Sequence, residues 1–322
     1  MTEARRILVI RLGAFGDFAQ SFPAFAAIRA HHRGARITLL TTRPFVDLAR
    51  ASPWFDEVWS DGRPPWRRVG EVLRLARRLR GGRFDRVYDL QTSRRSSLYR
   101  LAVGRAAEWS GIARGASHRH DTPTRQSVST VPRQQEQLRI AGIADVPAPD
   151  LGWLTEGAAA LDLPERFCLL IPGASARWPE KRWPVEGFAA LASALAIPCV
   201  VVGGPAEAPL AAAIKAAAPA TLDWCGDRSP PAILAALAHR SAFAVGNDTG
   251  PTHLVSVVGC PTLALFGARS DPARHAPPGP AVKVLAVPML ESLPAAEVLA
   301  ALAAFLPREA VAAALPAGAG TL

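Results

Sequence analysis

Short apolar runs alternate with stretches of helical spacing along both halves of this chain, and that alternation most narrows the folds open to it. The runs cover residues 7–10, 37–41, 57–59, 86–89 and about 108–110, then 167–171, 198–202, 220–223, 242–245, 262–266 and 282–286. Many are aliphatic or β-branched without polar alternation, as strands buried on both faces are. Between them, residues 24–31, 67–80, 185–195, 207–217, 230–238 and 252–258 read as helices. Strand–helix alternation predicts parallel, doubly wound α/β sheets. A length of 322 residues suits two such domains, each large enough to bury its own core. The proline-rich stretch 146–150 and the weak pattern at 155–160 put the boundary between residues 145 and 163. The expected domains are 1–155 and 156–322, with residues 316–322 frayed.

Three strand-to-helix turns carry the polar chemistry. Gly246-Asn247-Asp248-Thr249-Gly250-Pro251-Thr252-His253 follows an apolar run and opens a helix. Such a turn aims unpaired N–H groups and the positive end of a helix dipole at an anion. A helix cap is the competing reading, since Asp or Thr at N-cap followed by Pro is common for stability alone. Arg11-Leu12-Gly13-Ala14-Phe15-Gly16-Asp17 follows the first strand. Gly13 and Gly16 permit close ligand approach. Asp17 with Gln20 also reads as a capping box, yet an ionised carboxylate there can still accept a proton from a hydroxyl. The third turn runs from Ile171 to Pro184 and holds Gly173, Ser175, Lys181 and Arg182. Those types together suit a pyrophosphate; the competing reading is a solvated basic loop. Lys181 is one of only three lysines, with Lys215 and Lys283.

Taken together, the strand Ile7-Leu8-Val9-Ile10 with Arg11-Leu12-Gly13-x-x-Gly16-Asp17, the segment Pro172-Gly173-Ala174 with Lys181-Arg182-Trp183-Pro184, and Asp248-Thr249-Gly250-Pro251-Thr252-His253 resemble the ADP-heptose:lipopolysaccharide heptosyltransferase family, glycosyltransferase family 9. The resemblance spans residues 7 to about 272. It implies the GT-B fold, two Rossmann-like domains facing each other across a cleft, with the last helix often crossing back to the first domain. It implies transfer of heptose from ADP-heptose to the lipopolysaccharide inner core, with inversion at the anomeric carbon. Asp17 is then the expected general base. Lys181 is expected on the pyrophosphate, with Gly13, Gly16, Gly173, Ser175, Thr249, Gly250 and Thr252 also on the donor. Asp248 is expected on sugar hydroxyls and Glu207 on the ribose, the latter competing with a role as a first-turn helix acid. Cys225-Gly226-Asp227 is expected near the adenine, and His253 reads as a packing or capping residue. No cofactor is implied and no metal is required, since a lysine and helix dipoles can take a metal's place.

The segment Asp89-Leu90-Gln91 resembles the family's Asp-x-Gln. Arg94 and Arg95 beyond it, with Arg119 and Arg125, are expected to grip acidic groups of a glycolipid acceptor; a solvated arginine face is the competing reading. Ala14-Phe15 departs from the family, where a small polar residue is common at the first position. A family member with another nucleotide-sugar or acceptor, and a catalytically silent nucleotide-sugar-binding protein, are the alternatives. A nicotinamide enzyme is disfavoured, because neither glycine turn has the G-x-G-x-x-G spacing.

The net charge of +10 fits anionic partners, although an Ala/Arg/Pro-rich composition contributes to it. No nucleic-acid module is legible, and nucleic acid is not an expected partner. The four cysteines are scattered and read as reduced, buried thiols. No segment reads as a signal peptide or a membrane span. A cytoplasmic enzyme in peripheral contact with the inner leaflet is the expectation.

Overall fold

The computed structural model describes residues 6–156, 161–175 and 177–314. The expected frayed end, 316–322, lies outside these, as do most of the weakly patterned residues 155–160. The chain divides into two compact units, Met1–Trp153 and Leu154–Leu322.

The first unit holds strands β1 (Arg6–Ile10), β2 (Arg36–Thr41), β3 (Glu57–Ser60), β4 (Arg86–Asp89), β5 (Glu108–Gly111) and β6 (His118–Arg119) in one sheet ordered β3-β2-β1-β4-β5-β6. The second holds β7 (Cys168–Ile171), β8 (Cys199–Gly203), β9 (Leu222–Cys225), β10 (Ala244–Asn247), β11 (Thr262–Phe266) and β12 (Val282–Ala286), ordered β12-β11-β10-β7-β8-β9. Every pairing in both sheets is parallel. Counted within its own unit, each sheet has the order 3-2-1-4-5-6 of a dinucleotide-binding fold. Ligands of such sheets bind beyond the carboxyl ends of the strands where the winding reverses. Those points are the ends of β1 and β4 in one unit and of β7 and β10 in the other. The three polar turns sit there: Arg11–Asp17 after β1, residues 172–184 after β7, and Asp248–Thr252 after β10.

Both cores follow from the apolar runs. Ile7, Leu8, Val9 and Ile10 are fully buried, and each such side chain contributes about 1.5–3 kcal/mol relative to exposure. Phe18, Phe22, Phe25, Phe45 and Trp54 stack in one aromatic cluster beside the first sheet. The helix expected over residues 24–31 starts earlier, at Phe22, and a separate short helix, Phe15–Ala19, precedes it. Pro23, in the first turn of the later helix, has no N–H to continue the ladder. In the second unit, the helix Ala295–Phe305 places Val298 and Leu302 in the core. Residue Ala314 of the helix Arg308–Ala314 accepts from the Ala196 N–H at 2.9 Å. The short strand β6 had no apolar run to announce it.

Candidate functional site

After β1 the chain turns at Gly13, whose φ is +110°. A Cβ there would lie 2.7 Å from the Phe45 ring, so glycine is required on both counts. Phe15 stacks on Phe45 with ring centroids 6.1 Å apart, which gives the departure at Ala14-Phe15 a packing role. Asp17 is the third residue of the helix rather than its cap: Ala14 is N-cap, and its N–H donates to Asp17 Oδ2 at 3.3 Å. Asp17 Oδ1 lies 3.2 Å from the Arg11 guanidinium and accepts from Thr130 Oγ1 at 3.4 Å. Arg11 is buried and also donates to the Asp17 and Leu90 carbonyls at 2.9 and 2.7 Å. Burial lowers the Arg11 pKa, and the Asp17 carboxylate opposes that shift. The Asp17 side chain is 41% exposed. It is thus a clamped carboxylate with an open face, which a general base requires. Arg11 and Thr130 are the supports that sequence reasoning did not assign; Arg11 lay inside the motif, whereas Thr130 is over a hundred residues away.

Asp89, at the end of β4, is completely buried. Thr92 N donates to Oδ1 at 3.1 Å. The Ser96 hydroxyl lies close but donates to Ser93 O, and Oδ2 has no hydrogen-bond partner among the described residues. Burial pushes this carboxyl up to about 7. From the usual 3.8 to about 7 the folded chain holds a proton that the unfolded chain has lost, so stability falls as pH rises across that window. The Tm advantage of Asp89→Asn over the parent is therefore expected to grow from pH 4 to about pH 7 and then level. A thermal-melt series across pH checks it; a flat difference would mean Asp89 is not held neutral.

In the second unit, Lys181 Nζ lies 2.7 Å from Asp248 Oδ2 and 3.2 Å from Ser270 Oγ, and Ser270 also donates to Asp248. His253 Nε2 stands 3.5 Å from Asp248 Oδ1. Burial opposes the charge on Asp248, but His253, Lys181 and Ser270 outweigh it and hold the carboxyl well below its usual range. That stability is present above pH 3.8 and is lost as pH falls below it, the reverse of Asp89. With both oxygens so engaged, Asp248 orients Lys181. Trp183 anchors the lysine's loop: its N–H meets Asn247 Oδ1 at 3.0 Å and its indole N–H meets Leu293 O at 2.8 Å. Asn247 Nδ2 ties the same loop through Pro172 O at 2.9 Å. Ser270 was not legible as a site residue, because its contact joins separate loops.

The helix Gly250–Val257 starts at N-cap Thr249, with no side-chain cap. Its first turn directs the N–H groups of Gly250 and Thr252 outward, while Pro251 has none. The Thr252 hydroxyl is committed to Asn247 O at 2.7 Å. Ser175 is exposed beside Gly173. Glu207 accepts from Gly204 N at 2.8 Å. It packs against Gly173 and Gly203, where a Cβ would come within 2.8 and 2.6 Å of its side chain. Cys225 follows on β9, half-buried, and burial pushes its thiol up to about 12. Among the described residues no group of three or more His, Cys, Asp or Glu is gathered as metal ligands.

The four arginines expected on the acceptor differ. Arg94 is exposed at the start of the helix Arg94–Val103. Arg125 reaches Thr92 Oγ1 at 3.4 Å, and Thr92 is two residues from Arg94. Arg95 donates to Tyr99 Oη at 2.9 Å and to Pro64 O, and Arg119 pairs with Asp121 at 3.0 Å.

Two three-layer Rossmann-like units with polar turns at their switch points define a glycosyltransferase fold of the GT-B class, and the comparisons agree. The sequence profile of glycosyltransferase family 9 (heptosyltransferase) matches residues 72–299, so the chain belongs to that family. A lipopolysaccharide core heptosyltransferase of Haemophilus influenzae, OpsX, is 22% identical over 300 residues, covering 86% of this chain and 83% of its own. The solved E. coli ADP-heptose lps heptosyltransferase II superposes with a TM-score of 0.74 at 21% identity, covering 94% of this chain and 99% of that one. A family 9 glycosyl transferase of Veillonella parvula gives a TM-score of 0.72 at 22% identity, over 88% of this chain and 87% of that one. E. coli heptosyltransferase WaaC, solved with ADP, gives 0.73 at 19% identity, over 91% and 97%.

Proposed function

We propose that the chain moves heptose from ADP-heptose to the inner core of lipopolysaccharide, inverting the anomeric carbon, with Asp17 as general base. The observation that carries this reading is the Asp17 carboxylate, clamped by Arg11 and Thr130 yet open on one face, in a member of the heptosyltransferase family. The acceptor hydroxyl gives its proton to Asp17 as its oxygen bonds to the anomeric carbon. The bond from that carbon to the phosphate oxygen breaks, and ADP departs. Lys181, aimed by Asp248 and Ser270, supports the charge growing on the diphosphate, helped by the N–H groups of Gly250 and Thr252. Gly13, Gly16, Gly173, Ser175 and Thr249 line the approach to the donor, and Glu207, which braces the donor loops through the Gly204 N–H, serves the ribose. In this reading the work takes place on the cytoplasmic side.

A thermal-shift panel of ADP, ADP-heptose, UDP, UDP-glucose and NAD tests the donor. ADP and ADP-heptose should raise Tm in proportion to ln(1 + [L]/Kd); selective stabilisation by UDP or NAD would overturn the reading.

For the acceptor, Arg94, Arg125 and Arg119, the last in a solvent-exposed pair with Asp121, are available, whereas Arg95 is held by Tyr99 and Pro64. Arg94→Ala with Arg125→Ala should raise the acceptor KM and spare ADP binding. Each contact is worth about 1.5–3 kcal/mol if desolvated and under about 1 if solvated, and the effect should shrink with salt. Arg95→Ala should instead lower Tm. Transfer kinetics at two ionic strengths check this, and an unchanged KM in the double variant would remove both arginines from the acceptor site.

A further inference from the structure

Seven large hydrophobic side chains are more than a third exposed among the described residues, and five of them, Trp66, Val69, Leu73, Leu98 and Leu101, belong to one region of the first unit. Trp66, Leu98 and Leu101 line a groove of about 380 Å³ between the helices Val69–Gly81 and Arg94–Val103, together with Val72, Leu75 and Tyr99, while Val69 and Leu73 are exposed on the first of these helices outside the groove. Leu101 is 70% exposed and Val69 58%. Isolated exposed apolar residues need no explanation, but a contiguous patch marks an interaction surface.

The rim is basic. Arg67, Arg74, Arg77 and Arg80 are exposed on or just before the strongly amphipathic helix Val69–Gly81, whose one acidic residue, Glu71, is paired with Arg68 at 3.2 Å. Arg95 lies over the Trp66 ring, 4.9 Å from its centroid. We propose that this groove and its arginine rim dock the chain on an anionic phospholipid bilayer, with Trp66, Leu73 and Leu101 entering the headgroup boundary. An apolar face bordered by arginine and tryptophan is what such a boundary accepts, and each basic residue near an anionic surface adds to the attraction. A second copy of the chain fits poorly, because a two-fold contact would set like arginine rims against each other.

The proposal goes beyond the transfer reading, and its test needs neither donor nor acceptor. The full chain is floated with phosphatidylglycerol/phosphatidylethanolamine vesicles and with phosphatidylcholine vesicles, at low and high salt. The parent should float with the anionic vesicles and much less with the neutral ones. Leu73→Ser with Leu101→Ser, at exposed positions, should weaken binding roughly tenfold or more at both salts. Arg74→Glu with Arg77→Glu should abolish the preference for anionic vesicles. Unchanged Tm and circular dichroism show that the variants are folded. A parent that stays unbound, or a Leu double variant that floats like the parent, would overturn the proposal. So would a dimer by light scattering that depends on the same leucines without vesicle binding, which would seat a second copy in the groove.

Discussion

Asp17→Asn is expected to lower transfer by about 10²–10⁴-fold, the usual worth of a positioned general base, while ADP affinity stays within a few-fold. The substitution changes one atom. An asparagine oxygen can still accept from Ala14 N, so the first turn of the helix Phe15–Ala19 keeps its side-chain contact. Arg11 loses a carboxylate but retains its bonds to the carbonyls of Asp17 and Leu90. What disappears is the capacity to take a proton from the acceptor hydroxyl. Single-turnover rates, together with ADP titration, separate the two effects. Near-parent turnover in Asp17→Asn would remove this residue from the chemistry and leave it a helix-turn acid.

Lys181→Ala carries the second large effect. It should weaken ADP binding about 10–100-fold, the equivalent of one charge-assisted contact of about 1.5–3 kcal/mol, and slow transfer as well. A phosphate-bound ammonium helps both the ground state and the transition state. Among the described residues the same substitution leaves Asp248, whose side chain is 8% exposed, with His253 and Ser270, so Tm should fall too, because a buried charge loses its partner. Ser270→Ala isolates the ligand effect: it keeps the ammonium and the ion pair, and should alter ADP affinity far less. Isothermal titration of both variants checks this. If Lys181→Ala loses Tm but binds ADP like the parent, the pair with Asp248 is a structural clasp alone.

The architecture was legible because both sheets are built from residues such as Ile7–Ile10 and Val200–Val202, buried on two faces and therefore written as unbroken apolar runs. Asp17, Lys181 and Asp248 were legible because each falls in a turn just past such a run. Their partners were not. Thr130 meets Asp17 across 113 positions and Ser270 meets Lys181 across 89, and a lone hydroxyl carries no local pattern. The competing reading of Asp17 as a cap with Gln20 misplaces the helix start: Ala14 is the N-cap through its backbone alone, without a side chain to signal it. The arginines show the same limit. Arg94 and Arg95 are adjacent in sequence and alike in charge, yet one is exposed and the other is held by Tyr99 and Pro64. Composition cannot separate them, because all but three of the 37 basic residues are arginine.

The central claim is a heptosyl transfer with inversion. Its most direct test is to incubate the chain with ADP-heptose and a lipopolysaccharide inner-core acceptor lacking heptose, and to determine the product's mass and the anomeric configuration of the new linkage by NMR. The account predicts one added heptose, release of an equal amount of ADP, and a configuration opposite to that of the donor. Retention of the donor's configuration, or consumption of a different nucleotide-sugar while ADP-heptose is left untouched, would contradict it.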